Sequence, residues 1–223
     1  MDTQMINSTA SLREVELPFG GKIFQDSSSH GVSSDTARLV FKILEDNQQD
    51  QTKMLDIGTG SGIIALMSAH YRPQWMITGI DIQTDLINLA RANAITLKKQ
   101  INFVTGDLRD HDLIPEKFDI VSCNPPYYPV DSGRISPKPQ RAIARHEITC
   151  SLPEVIEAVA RYLKPEGRAY LLYPASRLPE IEKTAKKVDL KIAEKIISAD
   201  IKEPTVITVL FYGLSELNRS DRI

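Results

Sequence analysis

Gly58-Thr59-Gly60-Ser61-Gly62 closes one apolar run, Met54 to Ile57, and opens another, Ile63 to His70. Glycines between a buried strand and a helix turn the chain sharply and leave bare backbone at the helix N-terminus, where a ligand can lie against it. Asp56 stands at the loop entrance, and Asp81 lies 25 residues beyond it, at the end of the next apolar run. A carboxylate in that place can take both ribose hydroxyls of an adenosine group. Gly106-Asp107 ends a third run with another acid, suited to accept a hydrogen bond from an adenine amino group. Asp56, Gly58, Thr59, Gly60, Gly62, Asp81 and Asp107, with Ile82 and Leu108 directly after two of the acids, together imply a nucleoside-containing cofactor.

Charge selects among such cofactors. A dinucleotide presents a pyrophosphate to glycines spaced GxGxxG, whereas these run GxGxG, with Ile63 in the place of the third glycine. A carboxylate at Asp56 repels a pyrophosphate but suits a cationic amino-acid group, such as the methionyl ammonium of S-adenosylmethionine. The architectural alternatives are a buried Asp56 that bonds the loop and an Asp107 that only makes a turn.

Asn124-Pro125-Pro126-Tyr127 follows a fourth apolar run, Phe118 to Cys123, and so lies at the same edge, next to the cofactor. The prolines fix φ and lack N–H groups, which leaves carbonyls as acceptors. The Asn124 side-chain oxygen and the Pro125 carbonyl can then take both hydrogens of an exocyclic NH2, while Tyr127 offers a flat surface to a planar base. An aromatic amine is a poor nucleophile. Holding its hydrogens on two acceptors aims the nitrogen lone pair, so catalysis rests on proximity and charge placement. Asn124, Pro125, Pro126 and Tyr127 are the expected catalytic corner.

The elements that must position these residues alternate. Strands are expected at Met54–Ile57, Trp75–Ile80, Ile101–Val104, Phe118–Cys123 and Arg168–Leu172, and two more in succession at Lys191–Ile197 and Val206–Tyr212. Helices are expected from a Ser33-Ser34-Asp35 cap through Leu44, and at Ile63–His70, Leu86–Leu97, Glu154–Leu163 and Leu178–Val188, with Lys164-Pro165-Glu166-Gly167 as a turn. This order predicts a doubly wound, mostly parallel seven-stranded α/β sheet with a C-terminal antiparallel strand, a Rossmann-like fold. Residues 1–20 lack a sustained period and read as a lead-in, residues 21–215 as one domain and 216–223 as a tail. Tyr127 to about Ser151 reads as a long loop, of the kind that carries function.

The chain has 223 residues, 42% hydrophobic and 25% charged, enough to bury a core without staples. Its two cysteines, Cys123 and Cys150, form no CxxC pair, so neither a disulfide framework nor a metal site is expected. No apolar run is long enough for a signal or membrane span, which points to the cytoplasm. The net charge of −2 argues against binding nucleic acid by bulk charge. Yet from Ser132 to His146 the long loop holds Arg134, Lys138, Arg141 and Arg145 and no acid. Such a patch beside the corner suits phosphate contacts to an RNA, and Tyr127 and Tyr128 can stack on a flipped base; a solvated loop and a core tyrosine are the plainer readings.

Leu55-Asp56-Ile57-Gly58-Thr59-Gly60-Ser61-Gly62, Asp81, Asp107 and Asn124-Pro125-Pro126-Tyr127 resemble the class I S-adenosylmethionine-dependent methyltransferases that modify planar NH2 groups. Tyr128, Pro137, Arg141, Ala144-Arg145, Glu147 and Leu163-Lys164-Pro165-Glu166-Gly167-Arg168 extend the resemblance to the bacterial tRNA(Val) adenine-N6 methyltransferases, over roughly residues 20–213. The resemblance implies an enzyme that methylates adenine N6 in RNA, a tRNA beside the anticodon; no metal is expected, and the chain is expected to be a monomer or homodimer. Release-factor glutamine methyltransferases and small-subunit rRNA guanine methyltransferases have similar corners, and Ser34-Asp35-Thr36-Ala37-Arg38-Leu39-Val40 is similar to the lead-in of the former. An NAD-dependent oxidoreductase and an RNA-binding module are the readings outside this class.

Overall fold

Leu12–Glu16 (β1) and Lys22–Asp26 (β2) pair antiparallel in a hairpin, turned by Gly20 at φ +82°. The computed structural model describes residues 12–26, 33–124, 150–199 and 204–213. The hairpin gives residues 12–20 a regular structure that the lead-in reading did not include, and residues 1–11 lie outside the described residues. Leu17, at its turn, is fully buried in the core, and Asn93 ties the hairpin to the main body by accepting from the Phe24 N–H and donating to the Phe24 carbonyl. β1 itself is mostly exposed, so no apolar alternation marks it.

Beyond the hairpin, helix and strand alternate as expected: Ser34–Asp46 (α1), Lys53–Ile57 (β3), Ile63–Tyr71 (α2), Met76–Asp81 (β4), Thr84–Thr96 (α3), Asn102–Thr105 (β5), Phe118–Cys123 (β6), Leu152–Tyr162 (α4), Leu163–Pro174 (β7), Leu178–Lys187 (α5), Leu190–Ile197 (β8) and Thr205–Tyr212 (β9). Local chemistry explains the starts. Ser33 caps α1 by accepting the Thr36 N–H, and Ser151 and Glu154 close a reciprocal capping box on α4.

The seven strands lie in the order β5-β4-β3-β6-β7-β9-β8. All neighbours are parallel except β9, which runs antiparallel between β7 and β8. The last strand in the chain is thus the antiparallel one, and it inserts one place from the sheet edge. One apolar cluster joins α1, α2 and α3 to Met54, Ile77, Phe103 and Ile120, and a second joins α4 and α5 to Leu55, Ile80, Val121 and Leu171. Consecutive strand residues enter opposite clusters, so β3 and β6 are covered on both faces, as parallel strands must be.

Lys164-Pro165-Glu166-Gly167 falls inside β7 instead of forming a separate turn. Phe118 pairs with Leu163 and Ile120 with Arg168, so these four residues bulge from the ladder.

Candidate active site at the switch point of the sheet

Strand order reverses between β3 and β6, and doubly wound sheets bind ligands at the carboxyl ends flanking that reversal. The register brings the expected residues there together. Ile57 pairs with Ile80 on one side and with Cys123 on the other, so Gly58, Asp81 and Asn124 leave the sheet at one level. Asp81 pairs with Thr105, which puts Gly106 and Asp107 just beyond, and the Gly106 N–H donates to the Asp81 carbonyl at 3.0 Å.

Gly58, Gly60 and Gly62 have φ of +67°, +57° and +89°, a region in which side chains with a Cβ are strained. Gly62 has a packing reason as well, because a Cβ there would stand 3.2 Å from the Phe103 ring and 3.3 Å from Ala90. The loop is pinned to its neighbours. The Thr59 N–H donates to the Ile80 carbonyl at 2.9 Å, and the Gly60 N–H donates to Asp81 Oδ2 at 2.9 Å.

Asp56 is buried and bonded to the loop. Thr59 Oγ1 donates to its Oδ2 at 2.7 Å and Ser122 Oγ to its Oδ1 at 2.8 Å, so it bolts the loop to β6. It is 1% exposed, and burial pushes its carboxyl up to about 6, against the hydrogen bonds from Thr59 and Ser122. The consequence for stability has a definite sign. The unfolded carboxyl releases its proton near pH 4 and the folded one near pH 6, so stability falls as pH rises through that window. The penalty, on the order of 3 kcal/mol, is fully present above about pH 6 and is relieved as pH falls towards about 4. Asp56→Asn removes this dependence. In urea unfolding, the wild type should gain about 1 kcal/mol on the variant between about pH 7.5 and about pH 5; parallel curves for the two proteins would overturn the assignment.

Asp81 is buried, which pushes its carboxyl up, against the N–H groups of Gln83 and Gly60 that favour the charged form. The Gln83 N–H reaches Oδ1 at 2.9 Å. Ile82, next to it, is one of the exposed large apolar side chains. Asp107 is held by a partner that sequence reasoning missed. Arg109 Nε lies 2.9 and 3.0 Å from its two carboxylate oxygens and keeps the carboxyl below its ordinary range. Arg109 also reaches Glu154 at 3.6 Å, and Arg161 donates to the Leu108 carbonyl at 2.8 Å, so the β5 end is tied to α4.

Asn124 is half-buried, and its Nδ2 donates to Thr36 Oγ1 at 3.2 Å, on the first turn of α1. Thr36, Ser122, Gln83 and Arg109 were not anticipated as parts of the site. Pro125, Pro126, Tyr127, Tyr128, Arg134, Lys138, Arg141 and Arg145 lie outside the described residues. Among the described residues no group of three or more His, Cys, Asp and Glu side chains is arranged to hold a metal, and no helix is long and apolar enough to cross a membrane.

Fold and register define a doubly wound α/β protein with a glycine loop, Asp81 and Asn124 at its switch point. Residues 48–208 match the family described as Methyltransferase domain, and the chain belongs to it. It is 38% identical over 133 residues to the tRNA1(Val) (adenine(37)-N6)-methyltransferase of Porphyromonas gingivalis (strain ATCC BAA-308 / W83), an alignment covering 57% of this chain and 51% of that one. It is 30% identical over 191 residues to the enzyme of the same name from Shewanella halifaxensis, covering 83% and 76%. To the release factor glutamine methyltransferase of Lactococcus lactis it is 33% identical over 144 residues, covering 61% and 53%. The chain thus spans about half the length of the first and third of these relatives. The fold is shared with a ribosomal protein L11 methylase from Lactobacillus delbrueckii subsp. bulgaricus, with a TM-score of 0.61, 17% identity and coverage of 81% and 79%.

Proposed function

We propose that this chain is an S-adenosylmethionine-dependent methyltransferase acting on the exocyclic N6 amine of an adenine in RNA, a tRNA beside the anticodon, in the cytoplasm. One observation carries the reading: Asn124 stands level with the glycine loop at the switch point, its NH2 end held by Thr36. Of the two ends of the amide, only the carbonyl can accept a hydrogen of a target amine.

The residues present suit the cofactor. The Asp81 carboxylate accepts the Gly60 and Gln83 N–H groups, one on each oxygen, and each oxygen has a second lone pair of the kind that suits a ribose hydroxyl. Asp56 lends negative charge beneath the loop, and Asp107 a fixed acceptor. S-adenosylmethionine supplies a methyl group on a cationic sulfur. The chain's own work is to hold and aim. Asn124 and the Pro125 carbonyl orient the amine, Tyr127 stacks on the base, and the amine's proton leaves to solvent after transfer.

Tyr128, Arg134, Lys138, Arg141 and Arg145 form the proposed RNA-binding surface. Arg141→Glu with Arg145→Glu should weaken tRNA binding and lower the slope of log affinity against log salt by about 0.7–0.9 for each phosphate that is no longer neutralised. An unaltered slope in a filter-binding titration would remove the loop from the reading.

The likeness to a release factor glutamine methyltransferase favours a second acceptor, a glutamine amide, whose NH2 offers the same two hydrogens. Incubating the protein and labelled S-adenosylmethionine with bulk tRNA and with release factor in parallel separates the two. The expected result is N6-methyladenosine in digested tRNA by mass spectrometry; label in the release factor alone would overturn the RNA assignment.

A further inference from the structure

We propose that Thr36, on the first turn of α1, is a positioning residue that sets which end of the Asn124 amide meets the acceptor; this rests on the role proposed above for Asn124. An asparagine amide is nearly symmetric in shape but opposite in chemistry at its two ends. Its oxygen accepts and its NH2 donates. Only the carbonyl end can hold a hydrogen of a target NH2, so an amide that rotates about its terminal torsion spends part of its time presenting the wrong group.

The structure contains a hydrogen-bonded chain that opposes such rotation. Asn124 Nδ2 donates to Thr36 Oγ1 at 3.2 Å, and Thr36 Oγ1 lies 2.9 Å from Ser33 Oγ. Ser33 Oγ in turn accepts the Thr36 backbone N–H at 3.0 Å, as the N-cap of α1. A hydroxyl that accepts from Asn124 keeps its own proton for Ser33, so the contact between the two hydroxyls is compatible with the bond from the amide. Thr36 is buried, and α1 is anchored at this end by a second contact, in which Thr205 Oγ1 donates to Asp35 at 2.9 Å. The threonine hydroxyl therefore sits on a rigid element, 88 positions away from the asparagine in sequence.

Thr36→Val tests this directly. It keeps shape and bulk and leaves intact the cap bond, which uses the backbone N–H of residue 36. Only the hydroxyl is removed. In the full-length protein, kcat for tRNA methylation should fall about tenfold, the loss expected for one hydrogen bond, with KM for tRNA and the affinity for S-adenosylmethionine unchanged. Thr36→Ser should restore kcat. A merely structural role is separated by a double-mutant cycle: in an Asn124→Ala background, Thr36→Val should cost nothing further. An equal fall in both backgrounds, no fall in the wild type, or failure of serine to rescue would each overturn the inference. If Asn124→Ala itself left turnover unchanged, the proposed role of Asn124 would fall instead; dependence on Asn124 with a neutral Thr36→Val would sink the positioning role alone.

Discussion

Asn124→Ala should lower the rate of methyl transfer by about two to three orders of magnitude, the range seen when one preorganised polar group aimed at a reacting centre is deleted, while S-adenosylmethionine binds as before. The size follows from the weakness of the nucleophile. The lone pair of an adenine N6 amine is delocalised into the ring, so in-line attack needs the nitrogen drawn out of conjugation and held there. The proposed acceptors do this by taking its hydrogens. Removing one of two acceptors also leaves the amine free to turn, which forfeits much of the proximity term. Cofactor affinity is spared because Asp56, the glycine loop that follows β3 and Asp81 on β4 are untouched, and the substitution falls just after β6. Single-turnover kinetics with saturating tRNA and calorimetry with the cofactor measure the two quantities separately. Full turnover in the variant would remove Asn124 from the chemistry, and a parallel loss of cofactor affinity would make it a structural residue.

Asn124→Asp should be nearly as damaging. A carboxylate has no NH2 to give to Thr36, so the bond at 3.2 Å would have to be remade with Thr36 as donor, and the chain through Ser33 would reverse.

How much of this was legible in advance divides along a physical line. Gly58, Gly60 and Gly62 could be read because a positive φ leaves a compositional mark, and Asp81 because the length of one strand-helix-strand unit places an acid at the next strand end. The order of helices and strands was readable from apolar periodicity, since β3, β4 and β6 are buried on both faces. What escaped were partnerships made by register or between distant elements. Asp56 meets Ser122 only because β3 and β6 lie side by side with those two residues paired, and nothing local announces it. Thr36 reaches Asn124 across the packing of α1 on the sheet. Arg109 is an exposed arginine two residues from an aspartate, a pattern too common on surfaces to signal a site. β1 was missed for the opposite reason: with both faces mostly exposed it carries no alternation to detect.

Asp81→Ala should raise the dissociation constant for S-adenosylmethionine at least about a hundredfold, because hydrogen bonds to a charged group contribute about 1.5–3 kcal/mol each and two are proposed here. The substitution acts twice. It removes the proposed acceptors for the ribose hydroxyls, and it releases the Gly60 N–H, which donates to Asp81 Oδ2 at 2.9 Å and helps hold the loop in its left-handed turn. The two contributions can be told apart with a cofactor analogue lacking the 2′-hydroxyl. If Asp81 bonds the ribose, the analogue binds the wild type more weakly than the natural cofactor does, and the two ligands bind Asp81→Ala alike. A loss that is the same for both ligands in both proteins would mean that the carboxylate only props the loop. Asp81→Asn supplies the electrostatic control, since it keeps the shape but must turn either its NH2 or its oxygen towards the Gly60 N–H, and so should fall between wild type and alanine. The pH dependence has a determined sign. Burial raises the Asp81 carboxyl, so on acidification it protonates sooner than an exposed aspartate, and cofactor affinity should weaken from the acid side more steeply in the wild type than in Asp81→Ala, where only Asp56 still titrates beside the loop.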